Sequence, residues 1–255
     1  MPLYGYCEEL EINYGINVSE QTLMRWFKKI GPFKGNLKKT STRPTGRNTY
    51  RACILLEKYL HFVSNIVDKR RLVFADEKPM KEIMIFLKVR NDVLTNETPV
   101  NIVPSTAKNR FNILCAVNLK GGNNSPCDFV VLEECTNAAI FAEFVSNLIT
   151  NGTLVRGDIF IVDNCTVHFQ GDNEGLEDAL WEIHGINMVF LPPYHPELNP
   201  TELVFHTLLE RLKSEKARYT SLDAYDFMDA IVNCLNNIDC LDVINFYKQC
   251  GYYNK

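Results

Sequence analysis

Hydrophobic positions follow a helical period before Arg71 and a strand pattern after it. Leu23, Trp26, Phe27 and Ile30 recur at i, i+3, i+4 and i+7, while Arg25, Lys28 and Lys29 lie off that stripe. Ser19 is placed as an N-cap, with Glu20 in the first turn, so a helix is predicted from there. A more polar helix with Leu10 and Ile12 is predicted over residues 8–14, stopped by Gly15. Two short helices around a turn, the second cationic outside, have the build of a helix–turn–helix. A helical hairpin packed on a larger domain would show the same pattern. Pro32, Gly35, Pro44 and Gly46 then rule out a long helix, and Cys53, Leu56, Leu60, Val63 and Val67 restore helical spacing after Thr49. That spacing predicts a connecting helix.

Beyond Arg71 the apolar residues come in short runs. Strands are predicted over residues 71–77, 84–89, 112–118 and 129–132, with a turn at Gly121 to Asn124. A helix is predicted over 137–151, where Phe141, Phe144, Val145 and Leu148 share a face. Then follow strand 159–162, helix 174–184, strand 186–191 and helix 200–216. Trp181 and the aromatics of the 137–151 helix are assigned to the core. Strands first, then helix alternating with strand, predict an α/β fold with a mixed sheet flanked by helices. The ribonuclease H-like architecture has this order. A nucleotide-binding doubly wound fold does not fit, because no G-x-G-x-x-G follows a strand and no P-loop is present.

Composition narrows the class further. The chain has 255 residues, 46% hydrophobic, and no apolar run approaches the roughly 18 residues of a membrane span. Met1 to Leu10 has neither a basic nor an apolar signal region, so a soluble intracellular protein without membrane contact is expected. Nine cysteines without a C-x-x-C pair predict reduced thiols rather than a disulfide framework or a zinc site.

The net charge of −4 conceals a division. Residues 1–73 hold 13 basic and 6 acidic side chains, a net of +7, and the remainder nets −11. Between Arg25 and Arg51 stand nine basic residues and no acidic one. A basic arm on an acidic body suits a polyanionic partner, and a solvated linker would give the same count. Arg25, Lys28, Lys29, Lys38, Lys39, Arg43 and Arg47 are the candidate DNA contacts.

Three acidic segments carry the chemistry. Asp76 ends a strand in Phe-Ala-Asp-Glu, and Asp163 ends another in Val-Asp-Asn-Cys-Thr-Val-His168. The third is Leu191-Pro-Pro-Tyr-His-Pro-Glu-Leu-Asn-Pro-Thr-Glu202. Singly, each acid has an ordinary explanation: Glu202 follows Asn199 and Pro200 as in a helix cap, while Asp163 and Asp76 suit a turn and a solvated strand end. Together and in this order they resemble the DDE/D catalytic domain of the mariner superfamily of transposases. That family has an Asp-Glu motif, an Asp-Asn…His motif and a Pro-Pro-Tyr-Ser-Pro-Asp-Leu-Asn-Pro-Ile-Glu motif. The resemblance covers about residues 70–216. His195, Glu197, Thr201 and Phe205 depart from it, and 38 residues separate Asp163 from Glu202, more than is usual.

The resemblance implies that Asp76, Asp163 and Glu202 are catalytic and bind metal, with two Mg²⁺ or Mn²⁺ ions. It implies double-stranded DNA as partner, both transposon inverted repeats and target. It also implies hydrolysis at the element's ends followed by strand transfer. His168 is expected to hold the loop near Asp163. The expected organisation is a partial helix–turn–helix unit over 1–30, a basic linker and connecting helix over 31–69, the catalytic domain over 70–216, and C-terminal helices over 217–255. Because the family has two helix–turn–helix units, an N-terminally truncated copy is expected, nuclear in a eukaryotic host, with a homodimer as a further expectation. The alternatives are a transposon-derived DNA-binding protein without activity and a plain nuclease on the same fold.

Overall fold

The strand that organises the structure, β1 (Leu72–Lys81), alternates its side chains between two cores. Leu72 and Phe74 join one apolar cluster, Val73 and Ala75 the other, and all four are buried. A strand buried on both faces reads as a continuous apolar run, as this one does. The computed structural model describes residues 3–29, 45–81, 110–122, 125–163, 175–214 and 224–253. Two compact units result, Met1–Arg43 and Pro44–Lys255. The predicted strand at 84–89 lies outside the described residues, as do Lys38, Lys39, Arg43 and His168.

In the first unit, α1 (Leu3–Tyr14) and α2 (Glu20–Lys29) are joined by residues 15–19. The first helix begins earlier than its polar stretch suggested. Its end is as expected: Gly15 takes a φ of 66°, and the Ile16 N–H reaches back to the Leu10 carbonyl at 3.1 Å. Ser19 caps α2 by accepting from the Thr22 N–H at 3.3 Å. Leu23 is buried and Arg25 exposed, while the side chains of Trp26, Phe27, Lys28 and Lys29 lie outside the described residues.

The second unit is built on a five-stranded sheet of β1, β2 (Arg110–Gly122), β3 (Ser125–Leu132), β4 (Ile159–Val162) and β5 (Asn187–Phe190), in the spatial order β3-β2-β1-β4-β5. β1–β2 and β2–β3 are antiparallel; β1–β4 and β4–β5 are parallel. This is the mixed ribonuclease H-like sheet. Helix α3 (Tyr50–Ser64) and helices α6 (Pro200–Ser214), α7 (Ala224–Asn236) and α8 (Cys240–Gln249) contribute to the core on Phe74's face. Helix α4 (Ala138–Thr150) and Leu180 cover the other face. Asn137 caps α4 by accepting from the Ile140 N–H at 3.0 Å. Tyr247 of α8 donates its buried hydroxyl to the Leu72 carbonyl at 2.8 Å, fixing that helix to β1.

One core assignment is corrected, and one helix buries a different face from the one its apolar spacing marks. The connecting helix buries Ala52, Tyr59 and Val63, whereas Cys53 and Leu60 are exposed and Val67 lies fully exposed beyond its end. Both flanks of α3 are apolar, so periodicity alone could not choose between them. Trp181 is 63% exposed. The short helix α5 (Leu176–Ala179) continues as a π-helical turn over Leu180–His184, which buries Leu180 and leaves the next residue facing out. The eight described cysteines are free thiols. Among the described residues no helix is long and apolar enough to cross a membrane.

Candidate active site

Parity along β1 puts Asp76 and Lys78 on the face of Leu72 and Phe74, toward α6. Phe74 pairs with Ile161 across the parallel β1–β4 ladder, and two residues beyond each stand Asp76 and Asp163. Asp76, midway along β1, and Asp163, one residue beyond β4, therefore stand side by side; the strand expected to end at Asp76 instead runs on to Lys81, paired with β2 throughout. Glu202 arrives from the first turn of α6. All three acids line one open cleft of about 520 Å³, with Glu77, Pro192, Pro193, Tyr194, His195 and Asn199 among its other walls.

Asp76 is the buried member. One carboxylate oxygen accepts from the Glu77 N–H at 2.7 Å, the other from the Asn199 side-chain amide at 2.9 Å. Burial raises its pKa to about 7, and the negative charges of Asp163 and Glu202 push the same way against the Glu77 N–H and Lys78. Asp163 is half-buried. Glu202 does not turn back to cap its own helix; its carboxylate meets the Lys78 ammonium at 2.8 Å. Among the described residues, no three acidic, imidazole or thiol side chains are gathered tightly enough to ligate one ion as they stand.

Asn199 was missed by sequence reasoning as a functional residue. Its side-chain Oδ1 accepts from the Thr201 N–H at 3.2 Å, starting α6, while its side-chain NH₂ donates to Asp76. One residue thus fixes the helix that carries Glu202 and the orientation of Asp76. The Asn-Pro step before a helix was visible in the sequence; its second partner, 123 residues away, was not.

The loop carrying the proline-rich motif is held from both sides. Tyr194 sits at φ 66°, an uncommon conformation for a non-glycine residue. Buried His195 places Nδ1 3.0 Å from Glu197, which also takes a bidentate contact from Arg47. Tyr252 donates to the Leu198 carbonyl at 2.6 Å and is itself bonded to Tyr59 on α3. Gly46 packs beneath the Tyr194 ring so closely that a Cβ there would lie 2.8 Å from Cε2. Of the candidate DNA contacts, Arg25 is exposed on α2, whereas Arg47 is engaged within the body by Glu197. Replacing Arg47 with Ala should therefore destabilise the body by about 1 kcal/mol, more than a fully exposed pair would give, because its side chain is only 18% exposed. Urea denaturation of Arg47→Ala beside Arg25→Ala checks this, with no loss expected for the second; equal midpoints would contradict it.

Three carboxylates from adjacent parallel strands and a following helix present hard oxygen donors of the kind that hold Mg²⁺ or Mn²⁺ in an enzyme's cleft. Residues 71–225, about three fifths of the chain, match the family of the DDE superfamily endonuclease, and the chain belongs to that family. All three acidic segments fall inside the match. The fold is also that of Mos1 transposase. The Mos1 transposase paired-end complex with left transposon end is 15% identical, with a TM-score of 0.59 over 98% of this chain and 79% of that one. The mariner Mos1 paired end complex with Mg is 17% identical, with a TM-score of 0.57 over 100% and 76%. No curated protein matches the sequence.

Proposed function

We propose that this chain is a mariner-like DNA transposase that cleaves phosphodiester bonds at transposon ends and transfers the freed strands to target DNA. Asp76, Asp163 and Glu202 form the catalytic set. The observation that carries this reading is the convergence of three acids, from two adjacent parallel strands and one helix, in a member of the DDE endonuclease family.

The donor set fits Mg²⁺ or Mn²⁺. All three side chains offer hard oxygen ligands; burial first, and the charges of Asp163 and Glu202 after it, raise the Asp76 carboxyl to about 7. A pair of such ions, when bound, supplies water activation and neutralises the leaving oxygen. The chain's own part is placement. Asn199 and the Glu77 N–H orient Asp76, the β4 end presents Asp163, and α6 brings Glu202 across the cleft. The prolines and Tyr194 wall the approach.

DNA recognition falls to the first unit. The helices α1 and α2, with Arg25, Lys28 and Lys29, are read as the duplex-binding pair, and Lys38, Lys39 and Arg43 as contacts of the basic arm. Double-stranded DNA carrying inverted repeats is the proposed partner, bound by a homodimer in the nucleus of a eukaryotic host. Binding measured by anisotropy should weaken steeply with salt through counterion release. Changing Lys28, Lys29, Lys38 and Lys39 together to Gln should reduce the slope of log K against log salt by roughly 3 to 4. An unchanged slope would remove the arm from the interface.

The reaction itself is tested with supercoiled DNA carrying the genomic sequences on either side of the reading frame. Nicking and joining that require Mg²⁺ or Mn²⁺ and stop with chelator are expected. Specific binding without any cleavage would favour a DNA-binding protein.

A further inference from the structure

The Lys78–Glu202 contact joins a cation on the Asp76 face of β1 to the helix-borne acid of the cluster. We infer that Lys78 is the resident counter-cation of the active site, holding Glu202 until a divalent metal ion displaces it. This inference rests on the proposed role of the three acids in metal binding.

Several observations converge on it. Lys78 lies two residues from Asp76, on the same face of β1, so its stem starts at the next same-face position beyond the buried acid. Its ammonium meets Glu202 at 2.8 Å, a charge-assisted bond of ordinary length. That bond directs Glu202 toward Lys78, and among the described residues no three acids are gathered around one point. Yet the pair is not locked in place. Its two side chains are 40% and 34% exposed, so water can solvate either partner once they part. A fully buried pair would resist such an exchange, because separating it strands a charge.

Lys78 also has somewhere to go. Its ammonium already lies 5.8 Å from the centre of the Phe205 ring, within range of a cation–π contact. A shallow pocket of about 190 Å³ between β1 and α6, lined by Lys78, Met80, Phe205 and His206, adjoins it. Displacement therefore moves a charge from Glu202 to an aromatic face and water, not into an apolar wall. In this arrangement the lysine keeps the metal-free cluster from full repulsion and sets how tightly the site takes a divalent ion.

The test is Mn²⁺ affinity, measured by isothermal titration at low ionic strength without DNA. Wild type, Lys78→Met, Lys78→Arg and Asp163→Asn are compared, each first shown to be folded by circular dichroism. Lys78→Met should bind Mn²⁺ roughly fivefold more tightly than wild type, as loss of a half-exposed competing ion pair allows. The gain should shrink as salt screens the pair. Lys78→Arg keeps the competing charge and should stay within about twofold of wild type. Should Lys78→Met misfold, Lys78→Gln gives the same comparison. Binding that depends on Asp163 but is unchanged or weaker in Lys78→Met overturns the counter-cation role alone. Wild-type protein with no Asp163-dependent binding overturns the metal-site reading, and this inference with it.

Discussion

Asp163→Asn should lower metal-dependent DNA cleavage by roughly a thousandfold or more while leaving the fold intact. The substitution removes one charge from the cluster with almost no change in volume. Asp163 stands one residue beyond β4, so the β1–β4 ladder through Phe74 and Ile161 is untouched. Repulsion on Asp76 falls, because Asp163 is one of the charges that raise its carboxyl. The thermal midpoint without metal should therefore hold or rise. Glu202→Gln should lose activity to a similar degree. Glu77→Gln should cost only a few-fold: residue 77 borders the cleft, but alternation along β1 starts its side chain on the face opposite Asp76. DNA binding by all three variants should match wild type. Cleavage by Asp163→Asn at the wild-type rate would end the assignment.

The second large effect is on stability against pH. Asp76 has an ordinary carboxyl value of 3.8 and ionises near pH 7 in the folded, metal-free chain. Below the unfolded value both states hold the proton, and the group carries no penalty. As pH rises, the unfolded chain ionises first and the folded state falls behind, until both are charged above about 7. Stability is thus lost with rising pH, by roughly 2 kcal/mol between about pH 5.5 and pH 8 for a shift of this size. Urea midpoints of metal-free protein should fall accordingly across that range. Asp163→Asn should flatten the fall, and saturating Mg²⁺ should remove most of it by supplying the missing positive charge. A midpoint that rises with pH in the absence of metal would contradict the electrostatic description of the cleft.

What the sequence revealed and what it hid divide along contact distance. The apolar runs of β1 and β4 were legible, and each is followed by an Asp at matching register, although β1 continues past Asp76 to Lys81. The cap at Ser19 and the stop at Gly15 are local chemistry, readable from a few residues. The proline-rich segment marked where Glu202 would enter. Partners far apart in the chain left no such trace. Nothing local ties Asn199 to Asp76, Lys78 to Glu202 or Arg47 to Glu197, because each link needs the sheet and α6 to be assembled first. Arg47 looked like one more charge of a basic arm, and only the folded loop around His195 shows where its guanidinium goes. The α3 face was ambiguous for a different reason, its apolar residues lying on both sides of the helix.

The most direct measurement is anomalous diffraction at the manganese edge from crystals of the protein grown or soaked with Mn²⁺. The account predicts an anomalous peak in the cleft with carboxylate oxygens of Asp76 and Asp163 at roughly 2.0–2.3 Å and Glu202 drawn toward it. A cleft without manganese at saturating concentration, or a peak bound elsewhere with these three acids left unligated, would contradict it.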